Sequence, residues 1–146
     1  MRIVRKAVAY ITRDGHVLFF RAKEAPHLGA ELPGGTLVEG EDPLAGVLRE
    51  AREETGYAEF GDPRRLGVVS YDPRDGKDEL HERHFFQIPL LVQAPATWER
   101  LVEEGNGMFT FSFFWVNSST IPERMYPGHD VFLGEVLSDI SAPREN

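Results

Sequence analysis

The sequence predicts an α/β fold in which helices pack on a β-sheet. Segments rich in β-branched and aromatic residues recur along the chain, and two amphipathic segments stand among them. The 146 residues contain no repeat, low-complexity tract or Pro/Gly-rich linker that would divide them. A chain of this length can bury most of its apolar surface as one unit. We therefore expect a single domain over residues 1–146.

The first predicted elements form a β-hairpin. Residues 3–12 (IVRKAVAYIT) are rich in strand-forming side chains, and residues 16–20 (HVLFF) repeat that character. Asp14-Gly15 between them is a typical turn sequence. Residues 25–35 follow as a loop that contains two prolines and three glycines.

A helix is predicted next, with signals at both of its ends. Asp42 is placed as the N-cap and Pro43 as the first helical residue, where a missing N–H costs nothing. Gly56 ends the helix, since glycine adopts the left-handed conformation that a C-cap requires. Apolar residues follow at helical spacing between these limits: Leu44, Val47, Leu48 and Ala51.

The rest of the chain continues with strands and closes with a second helix. Strands are predicted at about 66–71, 83–92 and 109–116, with loops at Asp72–Leu80 and Gly105-Asn106-Gly107. The spacing of apolar residues predicts a short amphipathic helix over His129–Leu137.

Composition and charge exclude several classes of protein. Asp and Glu number 24 against 16 Lys and Arg, and this net charge of −8 disfavours a nucleic-acid binder. The absence of Cys leaves oxygen and His as metal ligands. No apolar run approaches the roughly 18 residues of a membrane span. The mixed, charged N-terminal segment argues against a signal peptide, so we expect a cytoplasmic protein without membrane contact.

The most informative stretch is residues 35–57, GTLVEGEDPLAGVLREAREETGY. Glu50, Glu53 and Glu54 follow at helical spacing, so their carboxylates share one face of the predicted helix. Two like charges about 4 Å apart repel by roughly 4 kcal/mol at an effective dielectric of about 20. The negative end of the helix dipole adds to this cost. Hard divalent cations would relieve the repulsion, because Mg²⁺ and Mn²⁺ select oxygen ligands and also bridge to phosphates.

This stretch resembles the Nudix box, and we refer to residues 35–57 as the box. Every fixed polar or glycine position of the box pattern is met: Gly35, Glu41, Arg49, Glu50, Glu53, Glu54 and Gly56. Seven such positions match by chance at on the order of one in 10⁸ per starting point. Ala51 and Tyr57 replace bulky aliphatic residues of the pattern, but both are packing positions. Leu32-Pro33-Gly34-Gly35 before the box also looks like the family.

The resemblance implies a Nudix-like α/β/α sandwich with a mixed β-sheet, and a metal-dependent hydrolase. The Gly35 carbonyl and the carboxylates of Glu50, Glu53 and Glu54 would bind Mg²⁺ or Mn²⁺. Water would then attack a phosphorus atom of a nucleoside diphosphate linked to another group and cleave its phosphoanhydride bond. The substrate would be a small molecule, and dimers are common in the family, so a homodimer is left open.

Roles within the site follow from the same resemblance. Glu53 is the first choice as general base, with Arg49, four residues earlier, holding its carboxylate. Some relatives use a glutamate of a later loop, which leaves four further candidates: Glu79, Glu82, Glu103 and Glu104. Glu41, placed with the substrate-binding residues, would assist through water or through a salt bridge to Arg49 or Arg52. Arg21, at the end of a strand, is the candidate for phosphate contact.

Other patterns carry less weight. His81, Glu82 and His84 alternate on a predicted strand, with His81 on one face and the other two on the second, which does not favour a zinc site. Pro73, 16 residues after Tyr57, has a spacing similar to that of ADP-ribose pyrophosphatases. Nucleoside triphosphates, deoxynucleotides, ADP-ribose and dinucleoside polyphosphates all stay open as substrates.

Two rival functions come from other classes. A non-catalytic Nudix-like ligand sensor is one, although the box glutamates that such proteins often lose are all present here. An isoprenoid diphosphate isomerase is the other, but its known form needs a catalytic Cys and this chain has none.

Overall fold

The computed structural model describes residues 1–105 and 107–141. The strands in these ranges are β1 (Arg2–Arg13), β2 (His16–Ala22), β3 (Gly34–Thr36), β4 (Arg64–Tyr71), β5 (Glu79–Pro89), β6 (Thr97–Glu104) and β7 (Gly107–Val116). The helices are a 3-10 turn (Pro26–Leu28), α1 (Pro43–Thr55) and α2 (Leu133–Ser141). None of the helices in the two described ranges is both long and apolar enough to cross a membrane.

The strands form one mixed sheet. Its order is β4-β5-β1-β2-β7-β6, and β3 pairs with β1. β1 and β5 run parallel, whereas the other strand pairs of the described ranges are antiparallel. A parallel pair requires a long connection between its strands, and the chain between β1 and β5 supplies one that includes α1. The mixed sheet predicted from the sequence is confirmed.

β1 and β2 separate soon after the turn that joins them. Their pairing covers only the two residues next to the turn on each strand. Further along, Lys6, Ala7 and Val8 of β1 pair with β3 instead, and Phe20 of β2 bridges to Glu31. The segment 30–36 therefore runs between the two strands, and the start of the box lies in the opening of the sheet.

One helix packs on each face of the sheet. The side chains of Val47 and Ala51 in α1 are buried in one cluster with residues of β1, β2 and β5, among them Ala9, Leu18 and Phe86. A second cluster joins α2 to the opposite face, and it includes Tyr10, Phe19, Phe85, Val136 and Leu137. Alternate residues of a strand point to opposite faces, so a single strand such as β1 contributes to both clusters. The predicted α/β/α sandwich is confirmed.

The ends of α1 follow the sequence signals. The Asp42 side chain accepts a hydrogen bond from the Ala45 amide at 3.2 Å, as an N-cap does. Gly56 has a φ of 84°, and its amide donates to the Arg52 carbonyl. The predicted limits of this helix are therefore confirmed, which fixes the orientation of the three box glutamates.

Several other boundaries were wrong. β3 and β6 were not predicted: β3 is short, and β6 is an edge strand whose exposed polar residues hide its alternation. β5 begins at Glu79, inside the loop predicted for Asp72–Leu80. The last helix begins at Leu133 rather than His129, because the preceding residues form turns in which the His129 amide donates to the Tyr126 carbonyl. The loop predicted at Gly105-Asn106-Gly107 includes Asn106, which lies outside the described residues.

Candidate active site

A cavity of about 250 Å³ lies where the sheet opens. Residues of β1, β3 and β5 line it, together with the ends of β6 and β7 and the turn before α2. Gly34 and Gly35, at the start of the box, form part of its wall. Phe109 and Phe111 add aromatic surface, whereas Glu31 and Glu104 add carboxylates. The wall of the cavity therefore combines aromatic and acidic side chains.

Arg49 is the centre of the hydrogen-bond network of the box. Its guanidinium donates two hydrogen bonds to the Glu41 carboxylate, from Nε to Oε2 at 2.8 Å and from Nη2 to Oε1 at 2.9 Å. Nη1 donates to Glu50 at 3.0 Å and to Glu53 at 3.2 Å. These bonds hold the pKa of Glu41 down at about 2, with a further contribution from the Val38 amide. One cation thus positions three carboxylates.

Glu54 is the most deeply buried of the box carboxylates, with 2% of the residue exposed. It accepts a hydrogen bond from the Gly34 amide at 2.9 Å, which ties α1 to β3. Burial raises the pKa of Glu54 well above its ordinary value, and the nearby charges of Glu104 and Glu50 raise it further. Ionising a buried carboxylate that has a single described hydrogen bond costs free energy unless a positive group neutralises it.

The two glycines at the start of the box allow the backbone to pack closely around this carboxylate cluster. A Cβ atom at Gly34 would lie 2.2 Å from the Ala7 carbonyl oxygen. A Cβ atom at Gly35 would lie 2.6 Å from the carboxyl carbon of Glu50. Gly34 therefore requires glycine, because the clash is with backbone, whereas a side chain at Gly35 would displace the Glu50 carboxylate. The missing side chain brings the Gly35 backbone against that carboxylate.

Two further acids surround the box, and sequence reasoning found only one of them. Glu104 was a candidate for the later-loop base, whereas Glu31 was missed, although it stands directly before Leu32-Pro33-Gly34-Gly35. Desolvation and the charge of Glu50 raise the pKa of Glu104 to about 7. Burial and the charge of Glu104 raise the pKa of Glu31 to about 7 as well. Lys6 lies on the same cavity wall and donates to the Thr36 hydroxyl at 2.7 Å.

Not every residue predicted for the site lies beside the cavity. The Glu53 side chain is 57% exposed and contacts Arg49. Arg21 is exposed on β2, and its guanidinium lies 4.3 Å from the centroid of the Phe114 ring. It is not among the residues that line the cavity, so the structure does not bring it together with the box. A role for Arg21 in phosphate binding stays a prediction.

The His-Glu-His pattern forms a local pair rather than a cluster. His84 Nε2 lies 2.7 Å from Glu82 Oε1, while His81 faces the cavity with Glu79 3.5 Å away. Within residues 1–105 and 107–141, no three His, Asp or Glu side chains are assembled as a ready metal site. In the box, Arg49 holds Glu50 and Glu53, and Glu54 turns to the Gly34 amide.

The residues around the box nevertheless fit a hard divalent cation. The available donors are carboxylate and backbone oxygens, which are the ligands that Mg²⁺ and Mn²⁺ select. Mutual repulsion contributes to the raised pKa values of Glu50, Glu54 and Glu104, so positive charge at this point would stabilise the ionised cluster. The space that a Gly35 side chain would fill lies directly against the Glu50 carboxylate.

Comparisons with known proteins agree on one family. A family model described as the NUDIX domain matches residues 2–135. A search of curated protein sequences gave no match. Among solved structures, a MutT NUDIX hydrolase from Burkholderia pseudomallei is 24% identical with a TM-score of 0.72, and the match covers 93% of this chain and 99% of that one. A MutT protein from Methanosarcina mazei Go1 is 21% identical with a TM-score of 0.67, covering 97% of both chains.

A third similar structure contains a ligand. The NUDIX domain of Shewanella oneidensis NrtR, complexed with ADP ribose, is 18% identical with a TM-score of 0.64, covering 96% of this chain and 88% of that one. Because the family model spans nearly the whole chain, this protein belongs to the NUDIX family. It is a Nudix hydrolase, and the family as a whole hydrolyses pyrophosphate bonds with the help of divalent metal ions.

Proposed function

We propose that this protein hydrolyses the phosphoanhydride bond of a nucleoside diphosphate linked to another group, in a reaction that requires Mg²⁺ or Mn²⁺. The observation that carries the proposal is the crowding of acids beside Gly34 and Gly35 in the cavity wall, where Glu54 bonds the Gly34 amide and Glu50 lies against Gly35. The charges of Glu104 and Glu50 raise the pKa of Glu54, and the charge of Glu50 raises that of Glu104. A cavity that binds an uncharged ligand would not require such a cluster of carboxylates. An acidic site can bind a pyrophosphate when cations neutralise both partners.

The metal ligands proposed are the Gly35 carbonyl and the carboxylates of Glu50, Glu53 and Glu54. A bound ion would supply positive charge to phosphoryl oxygens and lower the pKa of a coordinated water molecule. Arg49 holds Glu50 and Glu53 in place, and through two hydrogen bonds it is itself held by Glu41. Glu41 therefore supports the site by positioning Arg49.

Glu53 is the proposed general base, and Glu104 is the second candidate. Glu53 is exposed enough to exchange a proton with solvent, and Arg49 orients it. Glu104 lines the cavity, and its pKa of about 7 suits a base that works near neutral pH. Glu53 lies on α1 and Glu104 at the end of β6, so each can be substituted without altering the other.

The decisive experiment follows the formation of nucleoside monophosphate by chromatography, from a panel of nucleoside diphosphate derivatives and triphosphates, with Mg²⁺ or Mn²⁺ and with EDTA. Wild-type protein should turn over at least one substrate with metal, and EDTA should abolish the reaction. Glu53→Gln should lower kcat by about 10²–10⁴-fold, the usual contribution of a general base. Glu59→Gln, an exposed glutamate beyond the end of α1, is the matched control and should keep wild-type activity.

Other outcomes would redirect the assignment. A large loss in Glu104→Gln with near-normal activity in Glu53→Gln would move the base to β6. Binding without turnover across the panel would favour a ligand sensor instead.

We further propose that the family domain accounts for the chain as one domain. We propose that the protein works in the cytoplasm, and that neither nucleic acid nor membrane is its partner.

A further inference from the structure

Arg83 is a buried cation on the far wall of the cavity. The residue is 4% exposed and lines the cavity from β5. In the sheet, Arg83 is the neighbour of Lys6, and Lys6 is in turn the neighbour of Thr36 in the box. Arg83 thus lies two strands away from the box, or roughly 10 Å at the usual strand spacing.

The neighbours of Arg83 neutralise little of its charge. Nη1 donates to the Pro127 carbonyl at 2.6 Å. The guanidinium lies 3.7 Å from the centroid of the Tyr71 ring and 5.6 Å from that of Tyr126. Among the described residues no carboxylate lies within ion-pair distance of it, although Arg49 contacts three.

A buried charge without an anion is expensive. A guanidinium carries five N–H donors in a planar fork, and this shape matches the two oxygens of a phosphate or carboxylate. Aromatic rings offset only part of the cost of removing a cation from water. Burial accordingly lowers the pKa of Arg83. An anion that enters the cavity would neutralise the Arg83 guanidinium and accept hydrogen bonds from it.

We propose that Arg83 binds a phosphate group of the substrate other than those held at the box carboxylates. The inference rests on the proposed function and narrows its substrate class to nucleotides with three or more phosphates, or with a phosphate on the linked group. A phosphate is favoured over a neutral base because Lys6, the strand neighbour of Arg83, also faces the cavity. Two adjacent cations match an anion of more than one charge.

A purely structural role is the competing explanation. Arg83 contacts Pro127 and Tyr126, so it also holds the segment before α2 in position. A structural role would affect the binding of charged and uncharged ligands alike. Binding of an anion predicts a selective effect on charged ligands, and this effect must persist when no metal is present.

The test measures binding of inorganic tripolyphosphate to the full chain by calorimetry in EDTA and low salt, with adenosine as the uncharged probe. Arg83→Met should weaken tripolyphosphate binding by 10-fold or more, about 1.4 kcal/mol, and leave adenosine binding within twofold. Arg83→Lys should lose less than Arg83→Met. Arg65→Met is the matched control, because it removes the same charge from β4 on the opposite face of the sheet, beside Phe86. It should stay within twofold of wild type.

Wild-type protein gives an answer even if Arg83→Met does not fold. The guanidinium NMR resonance of Arg83, assigned with Arg83→Lys, should shift when tripolyphosphate is added in EDTA. An unshifted resonance, unchanged affinity in folded Arg83→Met, or equal weakening of adenosine binding would each overturn the proposal. Because no measurement depends on hydrolysis, failure here is distinct from loss of the proposed activity, which the Glu53→Gln and EDTA assays report.

Discussion

The Arg49 guanidinium and the Glu41 carboxylate form a two-bond pair across the loop that precedes α1. Glu41 also accepts a hydrogen bond from the Val38 amide at 2.9 Å, so the carboxylate is anchored to the loop as well as to the helix. Arg49 is then fixed from one side and free to hold Glu50 and Glu53 on the other. The position of both carboxylates depends on a residue that need not touch the substrate.

Arg49→Lys should therefore impair catalysis although it keeps the charge. Lysine cannot make the two parallel bonds to Glu41, so the restraint on Glu50 and Glu53 is lost. We expect kcat/KM to fall by about 10–100-fold, the usual effect of removing a group that orients metal ligands. The Mg²⁺ concentration for half-maximal activity should rise as well.

The control for this substitution is Arg52→Lys on the same helix. Arg52 donates from Nε to the Ala58 carbonyl and has no described contact with the box carboxylates. Its replacement should leave the Mg²⁺ dependence unchanged. An equal loss of activity in both variants would show that Arg49 acts only through helix stability.

Glu54→Gln should stabilise the metal-free protein. Glutamine can still accept the hydrogen bond from the Gly34 amide, and it removes a buried charge that lies near Glu104 and Glu50. We expect the free energy of unfolding in EDTA at pH 8 to rise by about 1 kcal/mol, as measured by urea denaturation. Saturating Mg²⁺ should raise the melting temperature of wild type much more than that of the variant, because only wild type keeps the full ligand set.

The exposed neighbour Glu53 provides the comparison. Glu53→Gln should change metal-free stability little, since its side chain is already largely in solvent. A clear loss of stability in Glu54→Gln under EDTA would contradict the view that repulsion at the buried position is relieved by a cation. It would indicate instead that the Glu54 charge is needed by the fold itself.

The sequence predicted the fold wherever local signals and tertiary packing agree. Asp42 and Gly56 mark the ends of α1 through bonds made within a few residues, so both could be read directly. β6 could not, because Leu101 and the neighbouring glutamates are exposed and Val102 alone is deeply buried. The start of α2 was placed early, since the turns around His129 depend on contacts with distant parts of the chain.

The site was predictable to the extent that it is local. The box glutamates share a helix face through spacing alone, and a salt bridge from Glu41 to Arg49 or Arg52 was one of the predicted roles of Glu41. Glu31 was not predicted, because its place at the cavity depends on the bridge between Glu31 and Phe20 of β2. Arg83 faces the same cavity through parallel pairing of β1 with β5, a contact between residues 77 positions apart that no local pattern reveals.

Two glycines with opposite surroundings make a paired prediction about stability. Gly134→Ala in α2 should stabilise by about 0.5–1 kcal/mol, because the added Cβ meets no heavy atom within 4 Å beyond its chain neighbours and the backbone of its own helix, and alanine restricts the unfolded chain. Gly34→Ala should destabilise by at least about 2 kcal/mol, since its Cβ would meet the Ala7 carbonyl oxygen at 2.2 Å. Urea midpoints at constant m-value measure both changes. Stabilisation by Gly34→Ala would show that β3 can move away from β1 at no cost.

His129 should make the protein sensitive to mild acid. Its Nδ1 accepts a hydrogen bond from the Leu32 amide at 2.9 Å, which requires that nitrogen to carry no proton. Burial lowers the pKa of His129 from 6.5 to about 3, and the charge of Arg83 contributes. The unfolded chain therefore takes up a proton first as the pH falls below 6.5. This stabilising contribution is complete above that pH and is lost progressively down to about 3.

His129→Asn isolates the effect, because asparagine offers an acceptor at a similar position but does not titrate. Relative to the variant, wild type should lose about 1.4 kcal/mol of stability for each pH unit below 6.5, or roughly 2 kcal/mol by pH 5. The measurement is urea denaturation of both proteins at pH 7.5, 6 and 5, in which the carboxylates common to both cancel. Parallel pH profiles would mean that His129 is protonated in the folded state, with the Leu32 amide bonded elsewhere.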